Sequence, residues 1–274
     1  MTPTVSASAT DADLLRLAIE VAREAGAFVV EARRSGVEVA DRKSSPVDVV
    51  TQVDRDSEAL IRARLAEARP LDGFFGEEGG RGASESGLTW VVDPIDGTVN
   101  FLYGIPHYAI SIAVVEGAPD PQSWEAVAGV VLNPVTGELF TARRGGGARL
   151  NDRPIAIADA VPLSEALIGT GFAYSAQTRA EQGAAIAQLL PLVRDLRRMG
   201  TASLDLCAVA AGRANAYFER TLSPWDHAAG ALIAREAGAI VKGLGDRRPD
   251  REFVLAAHPD AVGELERLLI SVGA

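Results

Sequence analysis

Residues 90–101, which read WVVDPIDGTVNF, are the stretch from which the rest of the chain is interpreted. The apolar run 90–92 predicts a buried strand. We expect this strand to stop at Pro94, because proline has no N–H to donate to a sheet, and the glycine that follows permits a tight turn. Two carboxylates, Asp93 and Asp96, therefore lie at a predicted strand end.

These two carboxylates have two open interpretations. They could bind a metal ion together with ligands from elsewhere in the chain, or they could form only an aspartate-rich turn with hydrogen bonds to its own backbone. The segment alone does not decide between a metal site and a turn.

A second acidic strand end lies close in sequence. Glu77 and Glu78 follow the short apolar run 73–76 and are flanked by glycines. Two neighbouring strand ends can meet at one edge of a sheet, which favours a shared site. The histidines are scattered without metal-ligand spacing, so a zinc site is disfavoured.

Three other aspartates lie near predicted helix starts. Asp54 is expected to cap a helix, where the macrodipole favours a carboxylate. Asp48, six residues earlier, either caps or takes part in catalysis. Asp226 lies in the first turn of a later helix, where capping and metal binding both stay open.

Composition excludes several classes of protein. The chain has 274 residues, 47% of them hydrophobic, which is enough for a large core. A net charge of −10 argues against a basic nucleic-acid-binding face. The single cysteine, Cys207, is expected in the core and fits a reducing cytoplasm. Residues 1–10 do not resemble a signal peptide and no apolar run could span a membrane, so we expect a cytoplasmic protein.

Hydrophobic periodicity predicts the elements of an N-terminal half, residues 10–150. A Thr10 capping box begins an amphipathic helix to residue 34, and a second helix covers 53–68. Short strands separated by turns are predicted at 73–76, 90–92, 108–116, 126–132 and 138–142. The glycines at 145–147 indicate a hairpin turn, because no Lys-Ser/Thr helix start follows them as in a phosphate loop.

Strands and helices alternate in the C-terminal half, residues 151–274, which is typical of a three-layer α/β arrangement. Strands are predicted at 166–172, 196–199, 214–218, 239–241 and 253–256. Helices are predicted at 178–193, 203–211, 225–237 and 259–270. The sequence therefore predicts an α+β protein whose two halves form one compact unit.

Several segments, in this order, resemble the signatures of the inositol monophosphatase family, and the likeness to bacterial inositol-1-monophosphatases is greatest. They are PVDVVTQVD at 46–54, GEE at 76–78, WVVDPIDGT at 90–98, GTGF at 169–172, GTA at 200–202 and WDHAAG at 225–230. The resemblance covers about residues 13 to 270. It implies a layered αβαβα fold and hydrolysis of phosphate monoesters with two to three Mg²⁺ ions.

The resemblance also implies the ligands of two metal ions. Glu77, Asp93 and the carbonyl of Ile95 match the ligands of one metal. Asp93, Asp96 and Asp226 match those of a second, so Asp93 would bridge them. Oxygen ligands of this kind suit Mg²⁺.

The same resemblance assigns the catalytic and substrate-binding residues. Thr98 with Asp48 resembles the pair that activates the attacking water, and Glu77 is catalytic through its metal. The positions that match substrate contacts are Ile95, Asp96, Gly97, Thr98, Gly200, Thr201, Ala202, Glu219 and Asp226. One departure concerns residues 220–224, Arg-Thr-Leu-Ser-Pro, where family members often carry a glycine or histidine. It affects the pocket for the alcohol and leaves the matched metal ligands intact.

The function that the resemblance implies is hydrolysis of myo-inositol 1-phosphate and related polyol or sugar monophosphates, with inhibition by lithium. Histidinol phosphate, fructose 1,6-bisphosphate or NADP are alternative substrates of the same chemistry. An alternative of another class is a non-catalytic binding partner in a larger complex. The resemblance implies a homodimer, and neither nucleic acid nor membrane is expected as a partner.

Overall fold

The computed structural model of the chain describes residues 9–36, 39–42 and 49–274, so the predicted catalytic residue Asp48 lies outside the described residues. The described helices are α1 (Asp11–Ser35), α2 (Gln52–Ala68), α3 (Thr98–Tyr103), α4 (Ala176–Leu189), α5 (Ala202–Ala210), α6 (Pro224–Glu236) and α7 (Pro259–Val272). The first ten described strands are β1 (Val39–Arg42), β2 (Val49–Thr51), β3 (Gly73–Gly76), β4 (Gly80–Arg81), β5 (Leu88–Asp96), β6 (Ala109–Glu116), β7 (Glu125–Asn133), β8 (Glu138–Arg143), β9 (Ala148–Leu150) and β10 (Arg153–Ile155). The remaining strands are β11 (Leu167–Thr170), β12 (Asp195–Arg197), β13 (Ala216–Glu219), β14 (Ile240–Lys242) and β15 (Val254–Ala257).

Two long N-terminal helices begin at capping boxes. At α1 the Asp13 N–H donates to the Thr10 hydroxyl at 3.2 Å, and the Asp13 carboxylate accepts the Thr10 N–H. Thr51 and Asp54 form the same arrangement at α2. Each box satisfies backbone groups that a helix start leaves without partners, and the predicted caps at Thr10 and Asp54 are confirmed.

The larger sheet has eight strands in the order β10-β9-β8-β7-β6-β5-β3-β4. Strands β5 to β10 form a meander, in which each strand pairs antiparallel with the next. It contains the predicted strands at 90–92, 108–116, 126–132 and 138–142, whereas β9 and β10 were not predicted. Strands β3 and β5 are parallel, with Gly76 opposite Val92. The expected stop at Pro94 is wrong: β5 continues to Asp96, and the pairing with β6 is irregular between Asp93 and Asp96. A bulge tolerates proline because it leaves a ladder position without a hydrogen bond.

The smaller sheet has five strands in the order β12-β11-β13-β15-β14. Strands β12, β11 and β13 are parallel, and β15 and β14 run antiparallel beside them. This mixed arrangement contains all the strands predicted for the C-terminal half. The division into halves at residue 150 stays a prediction about domains.

Five layers stack as helix, sheet, helix, sheet and helix. Alternate residues of β5 face opposite sides: Trp90 and Val92 lie in the core with α1 and α2, whereas Val91 lies in the core with α5 and α6. The smaller sheet covers the other side of α5 and α6 through residues such as Tyr217. Its outer face packs on α4 and α7 through residues such as Phe218. The period-two pattern of the strands thus produces the predicted αβαβα order.

The glycine turn at 145–147 links β8 and β9 as a hairpin, as the sequence predicted. The N–H groups of Gly145 and Gly147 each donate to the carboxylate of Glu236, both at 2.8 Å. The protein's own carboxylate therefore fills the anion-binding position that these amides create. None of the helices in the described part of the chain combines the length and apolarity of a membrane span.

Helices α5 and α6 pack closely at Gly230. A Cβ atom there would lie 2.9 Å from the Leu206 Cβ and 3.0 Å from the Ser203 carbonyl oxygen. We expect Gly230→Ala to lower the free energy of unfolding by about 1–3 kcal/mol, because the clash forces the two helices apart. Urea denaturation measures the loss.

A matched control lies in α4. Gly183 has no atom within 4 Å of a built Cβ, so Gly183→Ala is expected to stabilise the protein by about 0.5–1 kcal/mol through helix propensity. Equal effects of the two glycine-to-alanine changes would contradict close packing at Gly230.

Candidate active site

The two acidic strand ends predicted from the sequence lie side by side. Because β3 and β5 are parallel and Gly76 is opposite Val92, the residues that follow this pair are Glu77, just after the end of β3, and Asp93, within β5. A hydrogen bond between the carboxyl groups of Glu77 and Asp93 contributes to the raised pKa of Asp93. The parallel pairing is therefore what joins these two segments.

Asp93 is 2% exposed, and its pKa lies well above the usual value. Burial is the largest cause, because it disfavours the charged form, and the negative charges of Glu77, Asp96 and Asp226 add to it. The Asp93 Oδ1 also accepts the Ile95 N–H at 3.0 Å. The turn interpretation of this aspartate is therefore confirmed, and its metal-binding interpretation stays a prediction.

Asp96 faces the start of α5. Its Oδ2 accepts the Ser203 N–H at 2.7 Å, and backbone groups of Ala202 and Ser203 lower its pKa. Burial outweighs these hydrogen bonds and raises the pKa of Asp96 to about 6. A helix N-terminus favours a nearby carboxylate, so α5 holds this side chain beside the other acids.

Asp226 comes from the first turn of α6, on the other half of the chain. Its Oδ2 accepts the Ser223 N–H at 2.6 Å, which confirms the capping interpretation. Its pKa lies well above the usual value, first because of burial and then because of the charges of Asp96 and Glu77. Asp226 thus serves the cap and belongs to the acidic cluster. The preceding Trp225 packs edge-on against Phe75 with ring centroids 5.3 Å apart.

Thr98 donates its hydroxyl to Asp54, with the Thr98 Oγ1 3.1 Å from the Asp54 Oδ1. The Ile95 carbonyl oxygen is a second acceptor at 3.2 Å. The pairing of Thr98 with Asp48 stays a prediction, because Asp48 lies outside the described residues. Asp54 was expected only to cap α2, and its contact with Thr98 was not predicted, although the capping oxygen is Oδ2 and leaves Oδ1 available.

Two of the predicted substrate-contact segments, 97–98 and 200–202, also meet. Gly97 has a left-handed backbone, with φ at +92°, and a Cβ there would lie 2.5 Å from the Thr201 Oγ1. The Thr201 hydroxyl donates to the His107 carbonyl at 2.9 Å. The Asn100 amide donates to the same carbonyl and to the Met199 carbonyl. These contacts place the segment 200–202 against the start of α3.

Glu219, another predicted substrate contact, lies at the end of β13. Burial is the largest influence on it and raises its pKa to about 7. The Tyr217 hydroxyl donates to its carboxylate. A Cβ at Gly171 would lie 2.0 Å from the Glu219 Oε2, so the glycine of the GTGF segment leaves room for this carboxylate.

The structure thus brings the predicted acids near one another, without a formed metal cluster. Within the described ranges, no three His, Cys, Asp or Glu side chains are arranged as a ready ligand set. Asp93, Asp96 and Asp226 each direct one oxygen at a backbone N–H. Each carboxylate has a second oxygen, and the predicted metal binding of these residues stays a prediction.

Comparison with known proteins identifies the family. A model of the inositol monophosphatase family matches residues 11–269. The chain belongs to the inositol monophosphatase family. The inositol-1-monophosphatase of Mycobacterium leprae is 48% identical over 256 residues, which cover 85% of this chain and 84% of that protein.

Two further relatives of this inositol monophosphatase family member bear other names. The structure of the extragenic suppressor protein suhB from Bartonella henselae has a TM-score of 0.85 at 36% identity and covers 93% of this chain and 98% of that one. A Xylella fastidiosa relative named Nus factor SuhB is 40% identical over 240 residues, 84% of this chain and 85% of that protein. The predicted layered α+β fold is confirmed, and the chain is a phosphatase.

Proposed function

We propose that this chain hydrolyses myo-inositol 1-phosphate and related polyol or sugar monophosphates with Mg²⁺. The observation that carries the proposal is the acidic cluster of Glu77, Asp93, Asp96 and Asp226, which comes from two strand ends and one helix start and in which Asp93 and Asp96 are buried. The name of the Mycobacterium leprae relative, an inositol-1-monophosphatase, supports the choice of substrate.

The residues present fit a hard divalent cation. All the donors are oxygens, which Mg²⁺ prefers over nitrogen or sulfur. Burial and then mutual repulsion raise the pKa values of Asp93 and Asp226, and a bound cation would relieve that repulsion. Glu77, Asp93 and the Ile95 carbonyl would hold one ion. Asp93, with the other two aspartates of the cluster, would hold a second.

Bound Mg²⁺ would supply positive charge that polarises the phosphoryl group, acidifies the attacking water and stabilises the leaving oxygen. The protein's own groups orient the reactants, which is most of what phosphoryl transfer requires. Thr98, fixed by its hydrogen bond to Asp54, is placed to accept a hydrogen bond from the attacking water. Asp54 can then take up the proton that this water loses. The backbone amides of Gly97 and Thr98 are the donors for the phosphate oxygens.

Glu219 is the group that recognises the alcohol. Its ionised carboxylate accepts hydrogen bonds from polyol hydroxyls, whereas the protonated form accepts fewer. Because burial raises its pKa to about 7, the fraction of ionised Glu219 rises between about pH 6 and pH 8. We expect the KM for myo-inositol 1-phosphate to fall over this range.

A comparison substrate isolates the contribution of Glu219. Para-nitrophenyl phosphate has no polyol hydroxyls, so we expect its KM to lack this pH dependence. Glu219→Gln should remove the dependence for the inositol ester and raise its KM about tenfold, the cost of losing one charged hydrogen bond. The same KM ratio between the two esters at all pH values in the unmodified protein would contradict this role.

Comparison of four phosphate esters tests which of them is the preferred substrate. The ratio kcat/KM is measured with millimolar Mg²⁺ for myo-inositol 1-phosphate, histidinol phosphate, fructose 1,6-bisphosphate and NADP. The proposal requires the inositol ester to have the highest value. Absence of phosphate release from all four esters would sink the proposal, and lithium is expected to inhibit the release.

A role as a binding partner is the second candidate, because a 40% identical relative is named Nus factor SuhB. Such a role does not need the acidic cluster to be catalytic. A partner that co-purifies equally with the unmodified protein and with Asp93→Asn would support it. We also propose a homodimer, and sedimentation at the mass of one 28.7 kDa chain would contradict that.

A further inference from the structure

Glu58 is a buried carboxylate outside the predicted ligand set. It lies on α2, one helical turn after Asp54, and is 2% exposed. A buried glutamate is rare unless it is paired or hydrogen-bonded. Its partners therefore indicate what it does.

The Glu58 carboxylate contacts the loop that carries the predicted metal ligand Glu77. This loop, residues 77–79, joins β3 to β4, with Gly76 opposite Gly80. The Glu78 N–H donates to the Glu58 Oε2 at 2.7 Å. Glu58 thus binds the backbone directly after Glu77.

The shape of the loop leaves space for this carboxylate. A Cβ at Gly76 would lie 2.3 Å from the Glu58 Oε2, and a Cβ at Gly79 would lie 2.5 Å from the Glu58 Oε1. Neither glycine has a positive φ, so backbone conformation does not require glycine at these positions. The two glycines accommodate the Glu58 side chain.

The guanidinium of Arg62 binds the other oxygen of the Glu58 carboxylate. The Arg62 Nη2 lies 3.3 Å from the Glu58 Oε1, one turn further along α2. The Arg62 guanidinium in turn stacks on the Phe74 ring of β3, 4.0 Å from its centroid. Glu58 is therefore held between α2 and the strand that ends just before Glu77.

The same face of α2 contacts the other catalytic segment. Asp54 accepts the Thr98 hydroxyl, and the Ser57 hydroxyl donates to the Pro94 carbonyl at 3.4 Å. Glu58 is the third group in this row and the one that reaches the loop. Helix α2 thus contacts both the loop after β3 and the end of β5, and it fixes the two relative to each other.

We propose that Glu58 is a positioning residue that holds Glu77 in place for metal binding. The inference rests on the proposed function, since it takes Glu77 as a Mg²⁺ ligand. Groups that orient metal ligands through hydrogen bonds typically change metal affinity by about 10–100-fold when they are removed. Glu58→Ala removes the acceptor for the Glu78 N–H and lets the loop move.

The test measures metal binding directly as well as turnover. Mn²⁺ binding to the metal-free protein is followed by electron paramagnetic resonance, and the Mg²⁺ concentration for half-maximal activity is measured with the inositol ester. Glu58→Ala should weaken Mn²⁺ binding and raise the Mg²⁺ requirement by about tenfold or more. The KM for the ester at saturating Mg²⁺ should change less than about threefold, because Glu58 does not contact substrate.

Two other substitutions at Glu58 separate positioning from loss of folding. Glu58→Gln keeps the length and one acceptor oxygen, so it should restore most of the Mn²⁺ affinity. Glu58→Asp retracts the carboxylate by one methylene and should weaken Mn²⁺ binding as Glu58→Ala does. It provides the same test if Glu58→Ala does not fold. Mn²⁺ affinity within about twofold of the unmodified protein in the folded Glu58→Ala or Glu58→Asp variant overturns the inference.

Leu65→Ala is the matched structural control, because Leu65 lies on the same helix and is buried in the core with α1. Leu65→Ala should lower stability and leave Mn²⁺ affinity unchanged. If it loses as much Mn²⁺ affinity as Glu58→Ala does, the effect of Glu58 is merely structural and the inference is overturned. Asp93→Asn tests the proposed function separately. If that variant binds Mn²⁺ as the unmodified protein does, the metal site is wrong irrespective of Glu58.

Discussion

Asp93→Asn is expected to lower kcat by about 10²–10³-fold and, in the absence of metal, to stabilise the folded protein. The activity is lost because one carboxylate would serve both proposed metal ions, and loss of a single charge-stabilising group commonly costs about 10²–10³-fold. Stability rises because Asp93 is buried beside Glu77, Asp96 and Asp226 and its pKa is raised. Asparagine keeps the Oδ1 that accepts the Ile95 N–H and removes the repulsion.

The sign of the pH dependence follows from the raised pKa. A raised pKa means that the folded state binds more protons than the unfolded state above about pH 4, so stability of the metal-free protein falls as pH rises through that range. Asp93→Asn should reduce this fall. Each pKa unit relieved is about 1.4 kcal/mol, and each kcal/mol raises Tm by about 2–4 °C in a chain of this size.

Thermal unfolding with and without Mg²⁺ measures both effects. Mg²⁺ should raise the Tm of the unmodified protein by mass action and leave that of Asp93→Asn nearly unchanged. Asp72→Asn is the matched control, because the Asp72 side chain is 1% exposed, pairs with Arg69 and accepts the Trp90 indole N–H. It should lose stability and keep activity. Turnover of Asp93→Asn within about tenfold of the unmodified protein would refute the two-metal site.

The sequence predicted the elements well because most have strong local signals. The capping box at Thr10 defines the first helix start, and apolar runs separated by turn residues define the strands at 108–116, 126–132 and 138–142. Pro94 misled the prediction of the β5 end, because the sequence does not show that the strand bulges there and pairs again at Asp96. Proline removes one donor, and a bulge is the local geometry in which that loss has no consequence.

The acidic residues of the candidate site were predicted from the sequence, whereas the residues of α2 that contact their segments were not. Glu77, Asp93, Asp96 and Asp226 are recognisable from motifs, and the structure places them together. The contacts of Asp54 with Thr98 and of Glu58 with the loop 77–79 depend on how α2 lies across the ends of β3 and β5. Docking of this kind has no local signature, because a helix residue that supports a site has the same spacing as one that faces the core.

Asp54→Asn is expected to lower kcat by about 10²–10⁴-fold, the contribution of a positioned group that handles a proton. The Asp54 Oδ1 accepts the Thr98 hydroxyl, while its Oδ2 accepts the backbone N–H and hydroxyl of Thr51. The amide of asparagine cannot take up a proton. Its NH₂ group would also face a hydrogen-bond donor, either from Thr98 or from Thr51. Thr98→Ala should therefore lower kcat by a similar factor.

The double variant Asp54→Asn/Thr98→Ala should be little slower than either single variant, because residues that act as a unit are not additive. Asp13→Asn is the matched control, since Asp13 completes the same type of capping box with Thr10 at α1. It should leave kcat unchanged, which separates loss of a helix cap from loss of the contact to Thr98.

Asp48→Asn distinguishes the two carboxylates that compete for the role beside Thr98. If Asp48 is the partner, its substitution should be non-additive with Thr98→Ala, and Asp54→Asn should reduce stability with kcat nearly intact. If Asp54 is the partner, Asp54→Asn is the substitution whose effect on kcat is non-additive with that of Thr98→Ala. The effect of Asp48→Asn on kcat then multiplies independently with that of Thr98→Ala. The 3.1 Å contact between Asp54 and Thr98 favours the second outcome, because a general base must lie within hydrogen-bond reach of the group it assists.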